Sequence, residues 1–270
     1  MKIHALSTGT VRLKRAFLHA RQGWRRQVDL FLPDEWSPPL PIHCWAIEHD
    51  RRLLVVDTGE TARVRDIPFA KFEVTPQQEL PGALAAVGLS LGDVETVVLT
   101  HMHGDHIDGG VHVSGPVLVH EEDLAYARSF GARVVQRLLR QPMPPGVDFR
   151  GFTLEGGPFG AFPRSRSLSD DGRIVAVDTA GHTPGHISVL CVDDDGRHVL
   201  LAGDATDTVE QLLARRADAV APKPAVSVAT METILAHAQQ HPTVYLPSHD
   251  PETVARLRDG TVLDHGAGAR

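Results

Sequence analysis

Glu95–Gly110 reads ETVVLTHMHGDHIDGG, and its reading decides the rest of the chain. Thr96-Val97-Val98-Leu99-Thr100 is a β-branched apolar run of the kind that forms a strand buried on both faces. His101, His103, Asp105 and His106 follow at once, and Gly104, Gly109 and Gly110 allow turns that aim several side chains at one point. Strand alternation would put residues 101, 103 and 105 on one side and 106 on the other, so a loop folded around a cation is the simpler arrangement. Imidazole nitrogen with carboxylate oxygen suits zinc, iron, manganese or cobalt, and no cysteine lies near enough in sequence to close a structural zinc site. The chain has 16 histidines, so most of them serve other purposes. Three beside an aspartate, directly after a buried strand, form a ligand block.

Outward from this block, three more apolar runs end in a candidate ligand. Ile174–Asp178 leads into Thr179-Ala180-Gly181-His182-Thr183-Pro184-Gly185-His186, His198–Ala202 into Gly203-Asp204, and Thr243–Leu246 into Pro247-Ser248-His249-Asp250. Sites in sheet proteins collect where strands end and loops begin, so His101, His103, Asp105, His106, His182, Asp204 and His249 are expected to meet at one rim. Seven ligands are too many for one small cation with an open position. Two cations sharing a bridging carboxylate and a bridging water would use them all. Ser248-His249-Asp250 has the residue types of a hydrolytic triad, but sequence neighbours rarely adopt that geometry, and His249 serves better as a ligand.

The HxHxDH block followed by separated His, Asp and His resembles the metallo-β-lactamase superfamily from about Ile42 to Leu257. The resemblance implies an α/β fold, a four-layer αββα sandwich of two mixed β-sheets flanked by helices, with the metals at one edge of the sheets. It implies that His101, His103 and His182 hold one metal, that Asp105, His106 and His249 hold the second, and that Asp204 bridges them. Asp57, in Asp57-Thr58-Gly59, would support the ligand loop. Two divalent cations are implied, zinc foremost, with iron, manganese and cobalt accepted by the same donors.

Three segments, Ala180–His186 (AGHTPGH), Leu201–Thr206 (LAGDAT) and Leu246–Glu252 (LPSHDPE), are similar to the N-acyl-homoserine lactonase branch, the quorum-quenching enzymes. That branch implies attack of a metal-bridging hydroxide on the lactone carbonyl, with Asp204 and Asp105 as catalytic groups and Asp105 also handling protons. The first segment is shared with glyoxalase-type thioesterases and organophosphate hydrolases. The chain departs from the branch at one place: those lactonases commonly carry a tyrosine three positions after the bridging aspartate, and Asp207 stands there. A hydrolase of another lactone, an ester or a phosphotriester is the alternative, followed by a mononuclear-iron oxidoreductase and a non-catalytic metal-binding module.

At 270 residues with 42% hydrophobic content, the expectation is one domain over 1–260, with an N-terminal arm at about 12–41 and a frayed tail at 261–270. A formal net charge of -7 gives no reason to expect nucleic-acid binding. Lys14, Arg15, Arg21, Arg25 and Arg26 alternate with Phe17, Leu18 and Trp24, which reads as a solvated arm or a subunit contact, hence a possible homodimer. The substrate is expected to be a small lactone or ester. An acyl chain would need an apolar groove, for which Phe17, Trp24, Ile67, Phe69 and Phe72 are the candidates, with Asp207 beside it. No segment approaches a membrane span or a signal-peptide core, so a cytoplasmic location is expected. Cys44 and Cys191 sit in apolar runs as small buried hydrophobes.

The patterning predicts strands over Met1–Leu13, Ile42–Glu48 and Leu53–Asp57, and over Val111–Val119 with a break at Ser114-Gly115-Pro116. It predicts helices over Gln78–Val87, Met231–Gln239 and Pro251–Leu257, and over Glu121–Leu139 with Leu124, Ala127, Val134, Val135 and Leu138 on its apolar side. Glu60–Pro76 and Phe149–Arg166 carry no clear period.

Overall fold

A computed structural model describes residues 1–20, 23 and 25–264. The first sheet contains β1 (Lys2–Leu13), β2 (Leu40–His49), β3 (Arg52–Val56), β4 (Ala70–Glu73), β5 (Val94–Val98), β6 (Val117–His120) and β7 (Phe149–Phe152), in the order β4-β1-β2-β3-β5-β6-β7. The second contains β8 (Ser165–Ser167), β9 (Ile174–Asp178), β10 (Ile187–Val192), β11 (His198–Gly203) and β12 (Thr243–Pro247), in the order β12-β11-β10-β9-β8. The helices are α1 (Arg15–Leu18), α2 (Arg25–Asp29), α3 (Leu80–Ala86), α4 (Gly104–Ile107), α5 (Glu121–Ala127), α6 (Phe130–Leu139), α7 (Val209–Leu213), α8 (Pro224–Gln240) and α9 (Thr253–Asp259).

Side-chain alternation explains the layering. In β3, Leu54 and Val56 turn inward to a core shared with Trp45, Ile187, Val189, Leu201 and Leu246, so both sheets contribute to one seam. Leu53 and Val55 turn the other way, toward Leu80 and Leu84 of α3 and Leu124 of α5. On the opposite flank Met231, Ile234 and Leu235 of α8 cover Val175, Val177, Leu190 and Leu200. Strands buried on both faces therefore read as continuous apolar runs, and the result is the expected four-layer αββα arrangement.

Strand direction brings the ligand-bearing ends together. β3 and β5 are parallel, which places Asp57 beside the loop after Val98. β10 is antiparallel to both β9 and β11, and β11 is parallel to β12, so β9, β11 and β12 all finish at the same edge. Two hydrogen bonds join that edge to the first sheet: Ile187 N–H donates to Thr100 O at 3.0 Å, and His43 N–H donates to Ser248 O at 3.0 Å.

Several local expectations are corrected. The unassigned Glu60–Pro76 contains β4, too short and too exposed to show a period. Only Val117–His120 of Val111–Val119 is a strand; Asp108–His112 is a tight 3-10 turn, because Gly109 lies so close to Thr58 that a Cβ there would overlap its carbonyl oxygen. Glu121–Leu139 is two helices, broken where the Ser129 hydroxyl caps α6 by accepting from Ala132 N–H at 3.2 Å. Val134, Val135 and Leu138 do not face a core: they are 42%, 53% and 75% exposed. α8 starts seven residues earlier than Met231, with Pro224 in its first turn. Leu263, expected in a frayed tail, is buried against the α8 layer and donates its N–H to Thr243 O, while residues 265–270 lie outside the described residues. Cys44 and Cys191 are buried and free, as expected. Among the described residues, no helix is long and apolar enough to cross a membrane.

A pair of histidines beneath α8 makes stability depend on acid. His237 Nδ1 accepts from Ala161 N–H at 3.4 Å, so its Nε2–H donates to His198 Nδ1 at 2.8 Å, and both rings are neutral. Burial, together with the neighbouring imidazoles, pulls both to about 4 from an ordinary 6.5. The neutral pair's contribution is complete above about pH 6.5 and is lost as the pH falls toward 4, because the unfolded chain takes up protons first. His237→Gln is expected to flatten the fall of the urea midpoint across that window; a fall as steep as in the unaltered chain would refute it.

Candidate metal centre

The ligand loop is built on Asp57. Its Oδ1 accepts Thr100 N–H at 2.7 Å, and its Oδ2 accepts Thr100 Oγ1–H at 2.9 Å and His106 Nδ1–H at 2.8 Å. The next residue adds two more ties, since Thr58 N–H and Oγ1–H both donate to His106 O, at 2.8 and 2.9 Å. Asp57 itself is at φ 62°, a left-handed conformation that costs an L-residue about 1–2 kcal/mol. Three hydrogen bonds to a carboxylate, each worth about 1.5–3 kcal/mol, outweigh that cost.

The outer hydrogen bonds assign a tautomer to four of the imidazoles, His101, His106, His182 and His249. His101 Nδ1–H points at Thr100 Oγ1 (3.1 Å), whose own proton is given to Asp57. His106 Nδ1–H goes to Asp57, His182 Nδ1–H to Asp218 Oδ2 at 2.9 Å, and His249 Nδ1–H to Pro41 O at 2.8 Å. Each Nε2 therefore turns an unshared pair inward. His101 Nε2 lies 3.0 Å and His182 Nε2 2.8 Å from His103 Nδ1. His106 Nε2 and Asp204 Oδ1, 3.3 Å apart, are both buried without a hydrogen-bond partner among the described residues. His249 Nε2 is 3.4 Å from Asp105 Oδ2 and 3.4 Å from Asp204 Oδ2, which is also 3.5 Å from His182 Nε2.

All seven expected ligands thus converge. Ligand atoms of His101, His103 and His182 lie within 4.8 Å of one another, as do those of Asp105, His106 and His249, and Asp204 faces both groups. Each buried polar atom left unpaired costs about 1–3 kcal/mol. Structural zinc sites return roughly 10–16 kcal/mol on binding, so this cost is small against what a cation supplies. The donor set fits divalent cations.

The electrostatics have the same sense. Burial and the neighbouring imidazoles hold His101 well below its ordinary value and bring His103 down to about 4. At His182 and His249 burial also acts downward, but it is outweighed by Asp218 and Asp204 at the first and by Asp204 at the second, and both are raised to about 9. The carboxylates demand positive charge where burial resists protons. Divalent cations meet both demands.

Three positioning residues were not singled out by the sequence. His186 accepts Asp204 N–H on Nε2 at 3.1 Å and gives Nδ1–H to Thr179 Oγ1 at 2.9 Å, fixing the central carboxylate. Asp218 holds His182 and is itself held by Val220 N–H and Ala221 N–H. Asp123 of α5 accepts Met102 N–H and Gly185 N–H, joining the loops that carry His103 and His182. The second histidine of AGHTPGH was the one available signal; Asp218 and Asp123 lie outside every motif.

A cavity of about 720 Å³ opens above the cluster, with His103, Asp105, His182, Asp204, Asp207 and His249 at its base. Phe17, Ile67, Phe69 and Phe72 are among its lining residues, together with Met102, Tyr126, Val135 and Leu139. Trp24 lies outside the described residues. Asp207 is buried beside the cluster, and burial with the nearby Asp204 raises it to about 7.

Comparison with known proteins gives a family and a fold. The model of the metallo-beta-lactamase superfamily matches residues 37–249. The probable metallo-hydrolase YflN of Bacillus subtilis (strain 168) is 34% identical over 137 residues, 44% of this chain and 47% of its own length, so the match spans about half of that relative. The N-acyl homoserine lactonase AttM of Agrobacterium fabrum is 21% identical over 269 residues, 96% of each chain. A solved N-acyl homoserine lactone hydrolase with N-hexanoyl-L-homoserine bound at its catalytic metal centre superposes with a TM-score of 0.74 at 17% identity, covering 97% of both chains.

Asp218 gives a test of the centre that needs no substrate. Asp218→Asn leaves His182 in place but removes the acceptor charge behind it, and is expected to weaken zinc affinity roughly 10- to 100-fold in chelator competition. Unchanged affinity would show that the contact does not tune the ligand.

Proposed function

Because the chain belongs to the metallo-beta-lactamase superfamily, we propose that it is a dinuclear metal-dependent hydrolase that opens the lactone ring of N-acyl-homoserine lactones. The observation that carries this reading is the junction of an inward-facing donor cluster with an apolar-walled cavity, which suits a polar reacting head on an acyl chain.

In this reading His101, His103 and His182 would hold one cation and Asp105, His106 and His249 the other, with Asp204 shared between them, zinc being the first ion to try. Such a pair, when bound, acidifies water enough for attack near neutral pH and polarises a carbonyl oxygen. His186 and Asp57 keep Asp204 and His106 aimed while the carbonyl carbon gains the water oxygen and loses the ring oxygen. Asp105, 15% exposed and turned to the cavity, takes the proton of the attacking water and returns it to the departing ring oxygen. Phe17, Ile67, Phe69 and Phe72 exclude water from the acyl chain. The alkyl wall contributes binding of about 0.8 kcal/mol for each methylene it covers.

One observation favours a second reading, a hydrolase of another lactone, an ester or a phosphotriester: Asp207 lies at the cavity base where the lactonase branch carries a tyrosine.

Two outcomes are expected from hydrolysis followed by product chromatography. His106→Ala abolishes ring opening of N-hexanoyl-homoserine lactone, and activity retained with full metal content would refute the mechanism. Phe69→Ala lowers kcat/KM about tenfold on the decanoyl substrate and little on the butanoyl one, as the loss of cover over two methylenes requires. Equal losses on both chains would remove Phe69 from the acyl wall. If esters or phosphotriesters turn over and no lactone does, the second reading replaces the first.

A further inference from the structure

Asp207 is buried, 3% exposed, and its Oδ2 has no hydrogen-bond partner among the described residues. Two other buried carboxylates near the centre, neither of them a candidate ligand, are fully satisfied: Asp57 accepts three hydrogen bonds, and Asp218 accepts from His182 and two backbone amides. The Asp207 side chain instead borders the cavity, and one of its oxygens lies within 4.8 Å of ligand atoms of both Asp204 and His249. Its backbone is held there. Asp207 N–H donates to Gln211 Oε1 at 2.6 Å, and Thr208 Oγ1 caps α7 by accepting Gln211 N–H at 3.2 Å.

We propose that Asp207 is a ligand of the cation held by Asp105, His106 and His249, and that it makes this position select a harder ion than its neighbour. The inference rests on the dinuclear assignment above. With Asp204 shared, the first position has three imidazoles and one carboxylate, a four-donor set suited to zinc. The second has two imidazoles and three carboxylates, from Asp105, Asp204 and Asp207. Oxygen-rich sets of more than four donors suit manganese(II) better. The two positions therefore take different metals when both ions are offered. Asp207 serves the metal, and no phenol equivalent to the tyrosine of the lactonase branch is present at that point to contact substrate.

The test is a competition on the full chain. Protein stripped of metal is equilibrated with fixed zinc and rising manganese, bound ions are counted by elemental analysis, and protein-bound manganese(II) is followed by electron paramagnetic resonance. The unaltered chain is expected to keep one zinc and exchange the other for manganese. Asp207→Asn and Asp207→Ser are expected to need at least about a tenfold higher manganese-to-zinc ratio for the same exchange. The retained zinc in each variant reports that the first position is still folded. An unchanged ratio in the variants, or exchange of both ions together in the unaltered chain, overturns the proposal while leaving the dinuclear reading intact. A chain that never holds two ions overturns both.

Discussion

The Asp57 carboxylate is the point on which the centre depends. It sits at the end of β3, in a backbone conformation that an aspartate adopts only under compensation, and it binds the Thr100 amide, the Thr100 hydroxyl and the His106 ring together. Those three contacts fix where the chain turns after β5. They also set two tautomers at once: His106 directly, and His101 through the Thr100 hydroxyl. An Asn at this position would keep the shape but lose the charge that three donors share, so the loop geometry and the proton positions are one constraint.

From that constraint the rest of the site follows by strand direction. β9, β11 and β12 end at the edge where the Asp57 loop lies, so His182, Asp204 and His249 arrive there from the second sheet, the last after the crossover through α7 and α8. Backbone hydrogen bonds from Ile187 and His43 cross between the sheets at that edge. His101, His106, His182 and His249 each donate an outward proton to an oxygen placed by the fold, and their bare nitrogens face the same small volume. Nothing in the hydrophobic seam requires this; it is a polar arrangement with an unfavourable cost of its own, of the size that cation binding would offset.

What was legible in the sequence was what depends on local pattern. His101, His103, Asp105 and His106 follow a continuous apolar run, and His182, Asp204 and His249 each follow another, so strand ends and donors could be read together. The layer architecture was implied by the family resemblance, and the runs buried on both faces agree with it. Residues whose role depends on distant partners were not legible: Asp218 supports a histidine 36 positions away, and Asp123 ties Met102 to Gly185. Helical period misplaced Val134, Val135 and Leu138, because period identifies a face without saying what covers it. Gly109 shows the same limit in the backbone, since the close approach to Thr58 that stops a strand at residues 111–116 is a tertiary contact.

If the inward-facing donors hold two cations that share one carboxylate, as proposed, anomalous diffraction from crystals grown with zinc will locate both. Two peaks per chain are expected, one among His101, His103 and His182 and one among Asp105, His106 and His249, with Asp204 between them. A single peak, or a peak away from Asp204, would contradict the proposal.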